Sequence, residues 1–304
     1  MEMEAAFLDD RAVIAISGPE ARPFLQGLVT NDVAGGLAPG SGLYTALLSP
    51  QGKILFDFFV TEGDGALLLD AARDSADALL KRLKMYKLRA KVEIEARPQL
   101  GVFLNLKGHP SNRPTTYVER AVSFPDPRAP ELGVRSIGAI AEMPANLAGS
   151  RAYHEQRLKL GVPEGSDFGT EKIFALDAGL DELNGVSFTK GCYVGQELTS
   201  RMKHRATARK RILGVTAQAG LPMPGAPVRR GDAEIGELLS SYGMQGFALV
   251  RLDRLEESGG LPWRLPALNL DSRHCVSQSE KRVPVCGTSR FPGEPRCPAR
   301  ATYQ

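Results

Sequence analysis

Two apolar runs, Tyr44 to Leu48 and Lys53 to Thr61, stand either side of Ser49-Pro50-Gln51-Gly52, and this arrangement constrains the fold more than any other stretch. Proline fixes φ and glycine permits a positive one, so the four residues make a tight reversal and the runs pair as a hairpin. Helical patterns surround it. Ser17-Gly18-Pro19-Glu20 reads as the turn and cap of a helix through Phe24, Leu25 and Leu28 that ends near Thr30-Asn31-Asp32, after a short strand at Ala12 to Ile16. Asp70 to Leu88 sets Ala76, Leu79, Leu80, Leu83 and Lys87 on one helical stripe, which predicts an amphipathic helix packed on a sheet. Arg151 to Leu160 predicts another, stopped at Gly161 ahead of Pro163. The class these elements predict is α+β.

After Lys210 the texture changes to short β-type pieces between glycines: Ile212 to Ala217, Ala226 to Arg230, Glu234 to Ser240 and Phe247 to Leu252. That spacing predicts a small antiparallel barrel or sandwich. Beyond Leu255 the sequence turns Pro- and Arg-rich without periodicity, which predicts no packed element and leaves the barrel incomplete. The expected division is 1–205 for an α+β region, 206–258 for the barrel and 259–304 for a disordered tail. Lys107 to Pro130, rich in Pro, Ser and Asn, reads as a surface excursion.

Composition excludes several classes. No apolar run among the 304 residues approaches the roughly 18 that span a bilayer. Met1 to Asp10 holds four acids and no basic run, so a cytoplasmic protein is expected, without membrane contact. Net charge is +3, but Gly259 to Gln304 carries seven basic residues against three acidic, leaving −1 for the rest. The same tail holds three of the four cysteines, Cys275, Cys286 and Cys297, without paired zinc spacing. A phosphate loop would need glycine where Leu47 stands, and a zinc HExxH begun at His154-Glu155 would need histidine where Leu158 stands. No GxSxG elbow occurs, and no metal site is expected.

Gly185 to Glu197 is too polar and glycine-rich for a core. Gly185, Gly191 and Gly195 allow sharp turns and close approach. Lys190, two residues from Cys192, would favour its thiolate. A structural turn with a buried thiol is the alternative.

Lys190-Gly191-Cys192-Tyr193-Val194-Gly195-Gln196-Glu197 resembles the signature of the YgfZ family of folate-binding, CAF17-like iron–sulfur assembly proteins. Phe24 to Asp32, Tyr44 with Gly52-Lys53, Tyr86-Lys87-Leu88-Arg89 and Leu176-Asp177-Ala178-Gly179-Leu180 match in the same order. The resemblance covers about residues 7 to 255. It implies aminomethyltransferase-like α+β domains around a central folate site, closed by a C-terminal antiparallel β-barrel.

It also implies roles. Asp177 matches a carboxylate that grips the pterin through paired hydrogen bonds, although an Asp there also suits a cap. Asn31 and Asp32 resemble a family motif beside the ligand cavity, although they equally suit the end of the preceding helix, and Tyr44, Tyr86 and Arg89 fall in further matched segments. By charge alone, Arg201, in a basic run reaching Arg211, suits the glutamate tail of folate or a phosphate backbone, and equally one solvated face. True aminomethyltransferases carry adjacent aspartates where this chain has Phe56-Asp57, so half of the acid pair is missing.

The function implied is a tetrahydrofolate-binding accessory protein for iron–sulfur cluster assembly or repair, with a link to tRNA modification, acting through Cys192 with Lys190 beside it. Implied partners are folate, iron–sulfur assembly proteins or client enzymes, and tRNA, with transient cluster contact. Two alternatives are a folate-dependent aminomethyl or one-carbon transferase using Asp57, and a non-catalytic folate or RNA binding module.

Overall fold

Apolar residues at nearly every hairpin position require cover on both faces of the sheet. The computed structural model describes residues 5–106, 121–143, 147–205, 209–230, 233–257, 264–265 and 268–269. Its amino-terminal part runs β1 (Ala5–Phe7), β2 (Arg11–Ser17), α1 (Ala21–Gln26), α2 (Val33–Gly36), β3 (Gly42–Leu48), β4 (Ile54–Gly63), β5 (Ala66–Ala72), α3 (Arg73–Lys87) and β6 (Glu93–Ala96). β3 and β4 form the expected hairpin, with Tyr44 opposite Phe59 and Ala46 opposite Asp57. They belong to an antiparallel sheet of order β3-β4-β5-β2-β6.

Because successive strand residues point to opposite faces, this sheet separates two apolar clusters. Ile14, Ile16, Phe58, Val60, Leu67 and Leu69 pack with Leu25, Leu79 and Leu83 of α1 and α3. Val13, Ala15, Tyr44, Phe59 and Leu68 pack instead with Val102, Leu104, Phe124 and Ile137. Those partners come from a second antiparallel sheet, in which β7 (Leu100–Asn105), β8 (Val122–Pro125) and β9 (Val134–Ala139) join β1 in the order β1-β7-β9-β8.

α4 (Arg151–Leu160) ends at Gly161, whose φ of +68° gives the left-handed stop that the glycine predicted. α5 (Gln196–Arg205) leads into β10 (Lys210–Thr216), β11 (Pro227–Arg230), β12 (Ala233–Tyr242), β13 (Gln245–Arg251), α6 (Leu252–Glu257), β14 (Arg264–Leu265) and β15 (Leu268–Asn269). The strands form one antiparallel sheet of order β10-β13-β12-β11-β14-β15. It does not close into a barrel among the described residues. Helices with segregated antiparallel sheets make the class α+β, as expected.

Three expectations need correction. Asp70, Ala71 and Ala72 end β5 and do not begin a helix, because Asp70 is drawn into a buried ion cluster and α3 starts only at Arg73. Within Lys107 to Pro130, Val122–Pro125 is a strand and Asp126 and Arg128 are buried; residues 107–120 lie outside the described ones. The stretch after Leu255 does hold elements, since β14 pairs with β11 and β15 with β14. Cys275, Cys286 and Cys297 lie outside the described residues.

Candidate functional site

The chain leaves α1 at Gln26, and carbonyls at a helix end lack intrahelical partners. Lys190 supplies them: its Nζ donates to the carbonyl oxygens of Gln26 and Val29, at 2.5 Å from each. The same ammonium lies 5.0 Å from the centroid of the Tyr193 ring. Burial holds its pKa down to about 8, against the attraction of Asp32. The expected thiolate-favouring charge is thus engaged with backbone.

Cys192 is exposed. Gly191 before it has φ +92° with open space around it, whereas Gly195 (φ +81°) has none: an added Cβ would stand 2.5 Å from the Ser49 carbonyl oxygen. Gln196 opens α5, and its Oε1 accepts from the Tyr193 N–H at 3.3 Å. The Tyr193 ring is buried in the core on the inner face of the first sheet. Glu197 and Arg201 pair at 2.9 Å on the exposed face of α5, so that guanidinium already has a carboxylate.

Three expected ligand-binding residues are frame members. Asn31 Nδ2 donates to the carbonyls of Tyr44 and Asn184, at 2.8 and 2.7 Å, and its Oδ1 accepts from the Asp32 N–H. Asp32 caps α2 by accepting from the Gly35 N–H, and it also accepts from Gln26 Nε2. Tyr44 is fully buried, with its hydroxyl donating to Asp57 Oδ2 at 2.9 Å. The other oxygen of Asp57 accepts from the Gly165 N–H at 3.0 Å. Asn31 reaches Asn184 and Thr30 Oγ1 donates to the Gly185 carbonyl, so residues 30–31 and β3 are tied to the start of the segment that carries the cysteine. Tyr86 is half-buried against the α1–α3 cluster and Arg89 is exposed, so the structure does not bring these two into that frame.

Asp177 sits in the 176–183 loop, whose backbone is bound by Arg211 through the Leu176 carbonyl at 2.6 Å and by the Ile212 N–H through its own carbonyl. Asp177 is 8% exposed. Burial pushes its pKa up to about 6, against the pull of Lys210 and Arg211. A buried carboxylate in that state favours a ligand that brings its own N–H donors.

One feature was not predicted. Between the two sheets, Arg11, Arg128, Arg135 and Arg157 interlock with Asp70, Asp126, Glu164 and Asp167. Arg135 holds Asp70 at 2.8 Å, and Arg128 holds Asp126 at 2.8 Å and Glu164 at 2.7 Å. The Tyr153 hydroxyl donates to Glu164, which four arginines hold well below the usual carboxylate range despite burial. Arg128 also lies 5.1 Å over the Tyr44 ring and 4.6 Å over Phe59. Only a charge inside an apolar strand, such as Arg135 between Val134 and Ile137, hints at this in sequence.

Residues 209–273 match the model of the CAF17 C-terminal β-barrel domain, a span that includes β14 and β15. The mouse protein named iron–sulfur cluster assembly factor IBA57, mitochondrial, is 35% identical over 82% of this chain and 78% of its own length. This chain belongs to the IBA57 family. Human IBA57 is 34% identical over the same shares, and the Coccidioides immitis homologue 30% identical over 82% and 72%. Among solved structures, the glycine cleavage system aminomethyltransferase T from Bartonella henselae matches with a TM-score of 0.64, covering 82% of this chain and 78% of its own. At 17% identity that likeness shows the fold alone. The IBA57-family chain therefore has an aminomethyltransferase-like fold. Among the described residues no helix is long and apolar enough to cross a membrane.

Proposed function

We propose that this protein is a tetrahydrofolate-binding accessory factor for iron–sulfur cluster assembly or repair, acting through Cys192. The observation that carries the reading is an exposed thiol on a loop anchored at both ends, in a chain 35% identical to an iron–sulfur cluster assembly factor. The cluster, or an intermediate of it, is cargo, and Cys192 is its point of contact. Iron–sulfur assembly proteins or client enzymes are the partners.

Asp177 is the residue we assign to the pterin. Its desolvated carboxylate suits a ring N–H and a neighbouring exocyclic amine. Asn31, Asp32 and Tyr44 then act by holding the frame. For Arg201 we keep only a role toward the glutamate tail. Calorimetry with tetrahydrofolate tests the assignment: Asp177→Ala is expected to weaken binding by about 1.5–3 kcal/mol. Unchanged affinity would put the pterin elsewhere.

Against a folate-dependent transferase stands Asp57, buried with both oxygens hydrogen-bonded. An acid so placed is not free to move a proton at a substrate. Against an RNA module or a link to tRNA modification stands local pairing of the basic run: Arg201 with Glu197, Lys203 and Arg211 with Asp181. We keep the boundary near residue 206 and extend the carboxy-terminal unit through β15. We take the compartment to be the cytoplasm; the relatives' names place those proteins in mitochondria, so fractionation decides.

A further inference from the structure

We propose that Lys190 is a positioning residue, whose ammonium fastens the Cys192 loop to the end of α1 and does not serve as the charge that ionises the thiol. The inference deepens the reading of Cys192 as the working thiol, and it rests on that reading for its biological meaning.

The grip runs in both directions. Lys190 Nζ donates to the carbonyls of Gln26 and Val29, so at least two of its three N–H bonds point at backbone. In return, Gln26 Nε2 reaches the Lys190 carbonyl at 3.4 Å while also bonding Asp32 Oδ1 at 2.9 Å. Gln26 Oε1 accepts from the N–H groups of Val33 and Ala34, so the clasp is continuous with the start of α2. The groups facing the ammonium are therefore the two carbonyls, the Tyr193 ring and the Asp32 carboxylate.

On the other side of the cysteine the chain is fixed again. Tyr193 is buried, its N–H bonded to Gln196, and Gly195 is wedged against the 49–52 turn. Between the anchors stand only Gly191 and Cys192, both exposed. Thus an arrangement that spends the lysine on backbone also explains why the thiol is held outward.

Amide hydrogen exchange over residues 188–194 of the full chain, with the iodoacetamide alkylation rate of Cys192 measured from pH 6 to 10 on its own peptide, tests this. Lys190→Met is expected to speed exchange in that segment by about tenfold, the behaviour of a locally unfastened loop. The midpoint of the alkylation profile is expected to stay where it is in the wild type, and Lys190→Gln, a neutral donor, to keep part of the protection. Unchanged exchange overturns the proposal. So does a midpoint raised by about one unit in both variants, as loss of an activating charge would give. If either variant misfolds, Gln26→Ala serves, since it removes the return bond to the Lys190 carbonyl: exchange in 188–194, normalised to the α4 amides, is expected to rise, and no rise overturns the proposal. Cys192→Ser is expected to leave the loop protected, so failure of the clasp and failure of the thiol's role read out separately.

Discussion

Gly52 and Gly195 meet back to back: a Cβ on Gly195 would stand 3.1 Å from the Gly52 Cα, and one on Gly52 would stand 3.3 Å from the Gly195 carbonyl oxygen. The hairpin turn and the turn after the cysteine can approach so closely only because neither residue has a side chain. Both also take positive φ, +78° and +81°. Gly195→Ala is therefore expected to cost about 1–3 kcal/mol from strain, with displacement of the Ser49 carbonyl in addition. Gly191→Ala, at φ +92° in open space, is expected to cost less. Urea unfolding of the two variants checks the order, and equal or reversed costs would contradict this packing.

The buried ion cluster gives a second prediction. Arg135 holds Asp70 and Asp126 with its side chain wholly buried. Removing one partner of a buried pair leaves the other charge uncompensated, so Arg135→Met is expected to destabilise by about 3–5 kcal/mol. A loss under about 1 kcal/mol, within the range of surface pairs, would mean that water enters between the sheets.

That cluster also marks where sequence reading ran out. The hairpin, α4 and the four strands from Lys210 to Arg251 were legible because turn chemistry and alternation are local. The motif around Cys192 was legible as a motif. Asp70, Asp126, Arg135 and Glu164 were not, since their meaning arises only when β5, β9 and two loops are brought together. Asp70 even resembled a helix start. Lys190 shows a related limit: its proximity in sequence to Cys192 was visible, whereas the carbonyls of Gln26 and Val29, more than 160 residues away, were not.

Asp177 predicts a pH dependence. Its folded pKa of about 6 stands above the ordinary 3.8 because burial disfavours the charge. Between those values the folded chain holds more protons than the unfolded one, so this residue's contribution to stability falls as pH rises. Asp177→Asn is expected to abolish that fall and to be more stable than wild type at pH 7.5 but not at pH 4. A pterin donating two N–H bonds requires the ionised form, so tetrahydrofolate affinity is expected to rise from pH 5 to 7. Affinity flat across that range would detach the ligand from Asp177.

Asp57 predicts an absence of transfer chemistry. With its oxygens bonded to Tyr44 and Gly165, the chain is expected to release no ammonia above background when given glycine-cleavage partner proteins and tetrahydrofolate. Release that depends on Asp57 would restore the transferase reading.

The central claim is that Cys192 does the work toward iron–sulfur enzymes. It is tested most directly by expressing wild type and Cys192→Ser in cells lacking the protein and measuring the activity of iron–sulfur enzymes against that of enzymes without clusters. Wild type is expected to restore the first group and Cys192→Ser to leave it deficient at equal protein levels, with the second group unaffected throughout. Equal rescue by both forms would contradict the account and reduce the exposed thiol to a residue of the loop.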